Sequence, residues 1–204
     1  MAQWYDKFDG PANVELGKVW QVQNGGFHIL RETSPVAGGR DINRLRADNV
    51  VVANEQRISH VLPSELDLSV SVSWRFILRH SAPTVAGKLI RVFLFGNEVD
   101  PVWNSAGANA YALQIGWNTN TVWLTRFTGG GGNIDVGTGN WAQDTNDHLF
   151  EVTREVSGAN RFWRVYYDGS LIIGPTNDAT YTTGTHIGFV ASERNLIAEY
   201  SITS

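Results

Sequence analysis

Between Leu66 and Leu78 the chain reads LDLSVSVSWRFIL, with apolar and polar positions alternating along most of its length. Leu66, Leu68, Val70, Val72, Trp74, Phe76 and Leu78 fall on one side, and Asp67, Ser69, Ser71, Ser73 and Arg75 on the other. A period of two belongs to a β-strand with one face in a core and one in water. Comparable runs recur at 50–62, 88–95, 110–117, 121–127, 148–156, 161–167, 185–191 and 197–202, and no amphipathic helix of three turns competes with them. Turn formers separate the runs: Asn24-Gly25-Gly26, Asn118 to Asn120, Ser157 to Asn160 and Asp168-Gly169, the last a two-residue hairpin signal. The pattern predicts roughly a dozen short, mostly antiparallel strands packed as two sheets, a jelly-roll sandwich. One stretch interrupts it. TGGGGNIDVGTGNW, Thr128 to Trp141, is so rich in glycine that it reads as a long mobile loop awaiting a partner.

With 204 residues, 42% of them hydrophobic, the chain suits one all-β domain over 1–204, and a chain of this size buries about 70% of its unfolded surface. There is no cysteine, which rules out disulfides, thiolate catalysis and cysteine-ligated zinc. Lys+Arg 16 and Asp+Glu 20 are interspersed for a net charge of −4, so no basic field attracts a phosphate backbone and nucleic acid is not an expected partner. MAQWYDKFDG lacks the basic and apolar regions of a secretory signal, and no apolar run has the length of a membrane helix. The expectation is a protein made in a cytoplasm.

Both ends of the chain carry a resemblance. The opening order Asp6, Phe8, Leu16, Gly17, Trp20, Asn24, Gly25, Gly26, Phe27, and the closing RFWRVYYDGSLIIG followed by YTTGTHIGFVASERNLIAEYSI, resemble the concanavalin A-like lectin/glucanase superfamily. The resemblance implies a two-sheet antiparallel jelly roll. Domains with this opening are familiar in bacteriophage structural proteins and in bacterial glycan-active proteins. It therefore implies a virion component, assembled in the host cytoplasm as a tail, fibre or capsid-decorating subunit, oligomeric or built into a larger assembly. Its partners would be a cell-surface polysaccharide or other glycan, or other virion proteins.

The glucanases of that superfamily carry Glu-x-Asp-x-x-Glu on a strand, aiming a nucleophile and an acid at one sugar. Here Glu65 and Asp67 match, but Val70 stands at the third carboxylate position, and Ser69, Ser71 and Ser73 beside it supply no tuned acid. A non-catalytic module is the expectation. An enzyme of the same fold, a glycoside hydrolase or polysaccharide lyase, would need another constellation, drawn from Glu98 and Asp100 or from Arg75, Tyr111 and Arg126. His28, His60, His80, His148 and His186 show no metal-ligand spacing. Asp144, Asn146 and Asp147 offer hard oxygens of the kind calcium takes, but the alternation ends at His148, and an acidic loop capping a strand is the better reading. No cofactor is expected, with calcium at those residues the one open possibility.

The tryptophans divide. Trp20, Trp74 and Trp163 sit in alternating runs and are expected in the core. Trp103, Trp117, Trp123 and Trp141 lie among Gly, Asn and Thr, where nothing local demands burial. With Asn104, Tyr111 and Arg126 they form the candidate binding surface. Aromatic faces stack on sugar rings, and Trp and Arg are equally enriched where proteins meet, so glycan and protein contact both remain open.

Overall fold

Every alternating run contains a β-strand in the computed structural model, which describes residues 3–6, 20–24, 27–32, 42–47, 56–62, 66–80, 89–98, 109–116, 119–129, 132–191 and 195–204. In chain order the strands are β1 (Gln3–Asp6), β2 (Gln21–Asn24), β3 (Phe27–Glu32), β4 (Ile42–Ala47) and β5 (Gln56–Val61). There follow β6 (Val72–His80), β7 (Leu89–Gly96), β8 (Ala110–Gly116), β9 (Thr121–Thr128) and β10 (Gly132–Asn140). The last are β11 (His148–Ser157), β12 (Asn160–Tyr167), β13 (Ser170–Asn177), β14 (His186–Ala191) and β15 (Asn195–Thr203). No helix occurs among the described residues.

The first sheet runs β13-β12-β11-β6-β15-β4-β3, with β1 also on β15; the second runs β10-β9-β8-β7-β14-β5-β2. The pairings are antiparallel. This is an all-β, two-sheet jelly-roll sandwich. Hairpin chemistry supplies the sharp corners. Asp168 and Gly169 both have positive φ, +46° and +80°, joining β12 to β13 in two residues, and Gly158 at +60° does the same between β11 and β12.

Aromatic side chains fill the space between the sheets. Trp74 of β6 stacks at 5.9 Å on Trp163 of β12 and at 6.0 Å on Phe95 of β7, while Tyr111 of β8 lies 4.6 Å from Trp163. Phe189 of β14 meets Tyr200 of β15 edge-on at 5.2 Å. Trp20, Trp74 and Trp163 are core residues as expected, at 2%, 0% and 0% exposure. The alternation of β11 also carries Arg154 inside, fully buried, with its guanidinium over the rings of Phe95 (5.1 Å) and Trp163 (5.6 Å) and a hydrogen bond donated to the Leu68 carbonyl. Burial pulls its pKa down to about 10.

Two expectations need correction. The strand read from Leu66 begins only at Val72; before it, Asp67 accepts the Ser69 N–H at 2.7 Å and turns the chain. Leu66 and Leu68 are nevertheless buried, but Val70, on the same side of the alternation, is 42% exposed, so the pattern located the core face at Leu66, Leu68 and from Val72 onward and failed in the turn between them. Secondly, most of the glycine run is a strand and not a loop: Gly132–Asn140 is β10, paired along β9. Its glycines answer a packing need. β10 and β13 are the neighbouring edges of the two sheets, and a Cβ at Gly137 would stand 2.3 Å from Ile173 Cγ2 and one at Gly139 2.4 Å from the Ile172 carbonyl oxygen. Only residues without a Cβ let the two edges approach so closely.

Candidate functional site

The second sheet has two unlike faces. Val122 and Leu124 of β9 point into the core, so Trp123, Thr125 and Phe127 point outward. On this outer face Phe93, Ala110, Ala112, Phe127 and Val190 form a small buried apolar cluster, with Phe93 and Phe127 rings 5.5 Å apart. Beside it runs a row of polar groups across four strands: Arg91 Nε donates to Gln114 Oε1 (2.8 Å), Gln114 Nε2 to Thr125 Oγ1 (2.7 Å), and Thr125 Oγ1 to Asp135 Oδ1 (3.1 Å). Gln114 is 8% exposed and Thr125 fully buried, whereas Asp135, on β10, is exposed.

Trp123 stands at the wet end of this face. It is half-buried, with its cross-strand neighbours Gln114 on β8 and Thr138 on β10. Its ring lies over Gly116, where a Cβ would come within 2.7 Å of Trp123 Cζ3, so the glycine is what lets the indole lie down on the sheet. Asn133, Asp135, Thr138 and Asn140 extend the exposed polar border along β10. An aromatic ring held against backbone and bordered by amide, hydroxyl and carboxylate groups has the chemistry to stack on one sugar face and hydrogen-bond its hydroxyls.

The other residues named from sequence fall elsewhere. Tyr111 is fully buried and points inward, its hydroxyl donating to Asp178 Oδ1 at 2.6 Å. Arg126, inward-facing on the same strand as Trp123, forms an ion pair with Asp178 Oδ2 and donates to Thr180 Oγ1. Tyr111 and Arg126 therefore do meet, on a carboxylate that sequence reading missed, but as a clamp at the sandwich end and not as an open face. Burial pushes the Asp178 pKa up, and the bonds from Tyr111, Thr180 and Arg126 outweigh it, leaving it below the usual range. Nothing local announced this: Asp178 follows the last residue of β13, and only the fold brings it to Tyr111.

Trp141 is likewise a correction, 5% exposed within the main core. Its backbone N–H donates to Asn120 O at 3.0 Å and its indole N–H to Gly116 O at 3.4 Å, so it plugs the sandwich beside the end of β8 and Asn120. Beside it His148 is held between two carboxylates, Nδ1 to Asp168 at 2.7 Å and Nε2 to Asp144 at 2.8 Å, with the Tyr167 hydroxyl 2.8 Å from Nδ1. Burial lowers the His148 pKa, but the bonds to Asp168 and Asp144 outweigh it and the net shift is upward. Tyr167, desolvated and beside both carboxylates, is pushed up to about 12.

The oxygens considered for calcium are turned to local work. Asp144 accepts from Asn146 N (2.6 Å), Asn146 Nδ2 (2.9 Å) and His148, and Asp147 lies 3.6 Å from Arg79 Nε. Among the described residues no three His, Asp or Glu side chains converge as a metal site. Arg75 lies 3.9 Å from Glu151 on the exposed face of the first sheet, Asp67 sits in the turn before β6, and Glu98 is half-buried just past β7. Glu65, Asp100, Trp103, Asn104 and Trp117 lie outside the described residues.

No protein-family model matches the chain, and no curated protein matches it in sequence. Solved structures do match it in fold. The carbohydrate binding module CBM66 from Bacillus subtilis is 14% identical, with 91% of this chain and 95% of that one covered at a TM-score of 0.55. The carbohydrate esterase vb_24B_21 from the Shiga toxin-encoding bacteriophage phi24B is 13% identical over 91% and 90%, TM-score 0.60. The endo-1,3-beta-glucanase from Streptomyces sioyaensis is 13% identical over 98% and 94%, TM-score 0.58. The fold is the concanavalin A-like lectin/glucanase jelly roll.

Proposed function

We propose that this chain is a non-catalytic glycan-binding module of a bacteriophage virion, in a tail, fibre or capsid-decorating position, and that it takes glycan on the outer face of the second sheet at Trp123. The observation that carries the reading is the seat of Trp123: a half-buried indole lying over Gly116, flanked in register by Gln114 and Thr138 and bordered by the exposed polar residues of β10. Among the described residues the strands of the second sheet present a single carboxylate, Asp135. Glycoside hydrolysis by the usual route needs a pair, and this favours binding over turnover. The fold likeness to a carbohydrate binding module supports a glycan partner, and the same fold in a carbohydrate esterase from a bacteriophage supports a phage setting.

Titration calorimetry after a glycan-array screen tests the site. Trp123→Ala should lose about 1–3 kcal/mol of binding, as interface tryptophans do, with the unfolding midpoint little changed. Undiminished binding by the variant, or release of reducing sugar by the wild type that Asp135→Asn abolishes, would overturn the reading. Mass spectrometry of purified particles tests the setting, and absence of the chain from them would remove it.

A further inference from the structure

The hydrogen-bonded row on the outer face has a direction. Arg91 carries only donors, so Gln114 must turn its carbonyl oxygen to Arg91 Nε and its amide nitrogen to Thr125 Oγ1. The Thr125 hydroxyl, having accepted that bond, keeps its own proton for Asp135 Oδ1. A donor-only group at one end and an acceptor-only group at the other thus orient the amide and hydroxyl between them. The row terminates in an exposed carboxylate whose second oxygen, Oδ2, takes no hydrogen bond from the described residues. Thr125, which faces Asp135 across the strand pair, stands two residues from Trp123 on the same face, about 7 Å along the strand. A sugar stacked on the indole therefore brings its hydroxyls, or those of the next ring, within reach of Asp135.

Charge decides what such a place accepts. Among the described residues the Arg side chains on this face, Arg57 on β5 and Arg91 on β7, lie on the far side of β8 from Trp123, and Arg91 is 6% exposed with Nε given to Gln114. At the wet border the described charge is Asp135. We propose that Asp135 sets the specificity of the Trp123 site: it accepts hydroxyl donors from an uncharged glycan and excludes glycans bearing carboxylate, sulfate or phosphate groups. The inference rests on the reading of the Trp123 face as a glycan site.

The test titrates the wild type, Asp135→Asn and Asp135→Lys with neutral β-glucan and xylan oligosaccharides and, separately, with oligogalacturonate and heparin fragments, following each thermal midpoint. The wild type should favour the neutral ligands by about tenfold or more, and Asp135→Asn should weaken neutral binding about tenfold, the worth of a charge-assisted hydrogen bond. The same change should strengthen anionic binding, so the preference collapses. Asp135→Lys, a substitution that an exposed edge strand tolerates, should favour the anionic ligands. A neutral-to-anionic ratio that Asp135→Asn leaves unchanged, in protein that still binds and loses binding with Trp123→Ala, overturns this inference alone. Wild-type protein that binds none of the ligands overturns the glycan site and this inference with it.

Discussion

Replacing Trp141 by alanine should separate a core plug from a recognition surface. The residue is 5% exposed and meets Phe150 at 6.0 Å, His148 at 6.1 Å and Tyr167 at 6.1 Å, each edge-on, while its indole N–H reaches the Gly116 carbonyl. A buried tryptophan withdraws roughly 150–250 Å² from water, worth about 4–6 kcal/mol at ~25 cal/mol per Å². Alanine keeps a little of that and the walls relax partway, so the expected loss is about 3–5 kcal/mol, the range of large aromatic truncations. For a domain of this size that corresponds to a midpoint drop of about 6–20 °C. Calorimetry and urea unfolding measure it, with an unchanged m-value required for the comparison. A loss under about 1 kcal/mol would refute the core assignment, because a ring enclosed by three aromatic neighbours and the main core has no cheap replacement. Trp123→Ala, by contrast, should cost binding more than stability.

Two further perturbations follow from the geometry. His148 has a raised pKa through Asp168 and Asp144, so its contribution is fully present below the unfolded value of about 6.5 and is lost as pH rises through the folded value. The midpoint of the wild type should therefore fall relative to His148→Gln on the alkaline side of about pH 6.5, and parallel curves would contradict the clamp. Gly139→Ala should cost about 1–3 kcal/mol by driving a methyl into the Ile172 carbonyl; an unchanged unfolding free energy would show that β10 does not need this close approach to β13.

The division of information between sequence and fold can be traced residue by residue. Period-two alternation marked the strands through Trp74, Leu113, Val122, Phe150, Trp163 and Phe189, because a half-buried strand must write its faces into its sequence. Asp168-Gly169 likewise announced its hairpin, since few residue pairs accept positive φ twice in succession. Pattern reading was least informative where a contact came from a distant strand. The glycines of β10 read as flexibility, yet Ile172 and Ile173, far along the chain, make them a packing requirement. Polar surroundings made Trp141 look exposed, but a segment can be polar along its length and still turn one ring inward, here with the indole N–H on the Gly116 carbonyl and the backbone N–H on the Asn120 carbonyl. Asp178 carries no local signal as the partner of Tyr111 and Arg126, nor do Gln114, Thr125 and Asp135 as one directed row. Strand order is set by which apolar faces bury each other best across the whole chain, a non-local free energy, and so the tertiary structure alone decided which polar groups became neighbours.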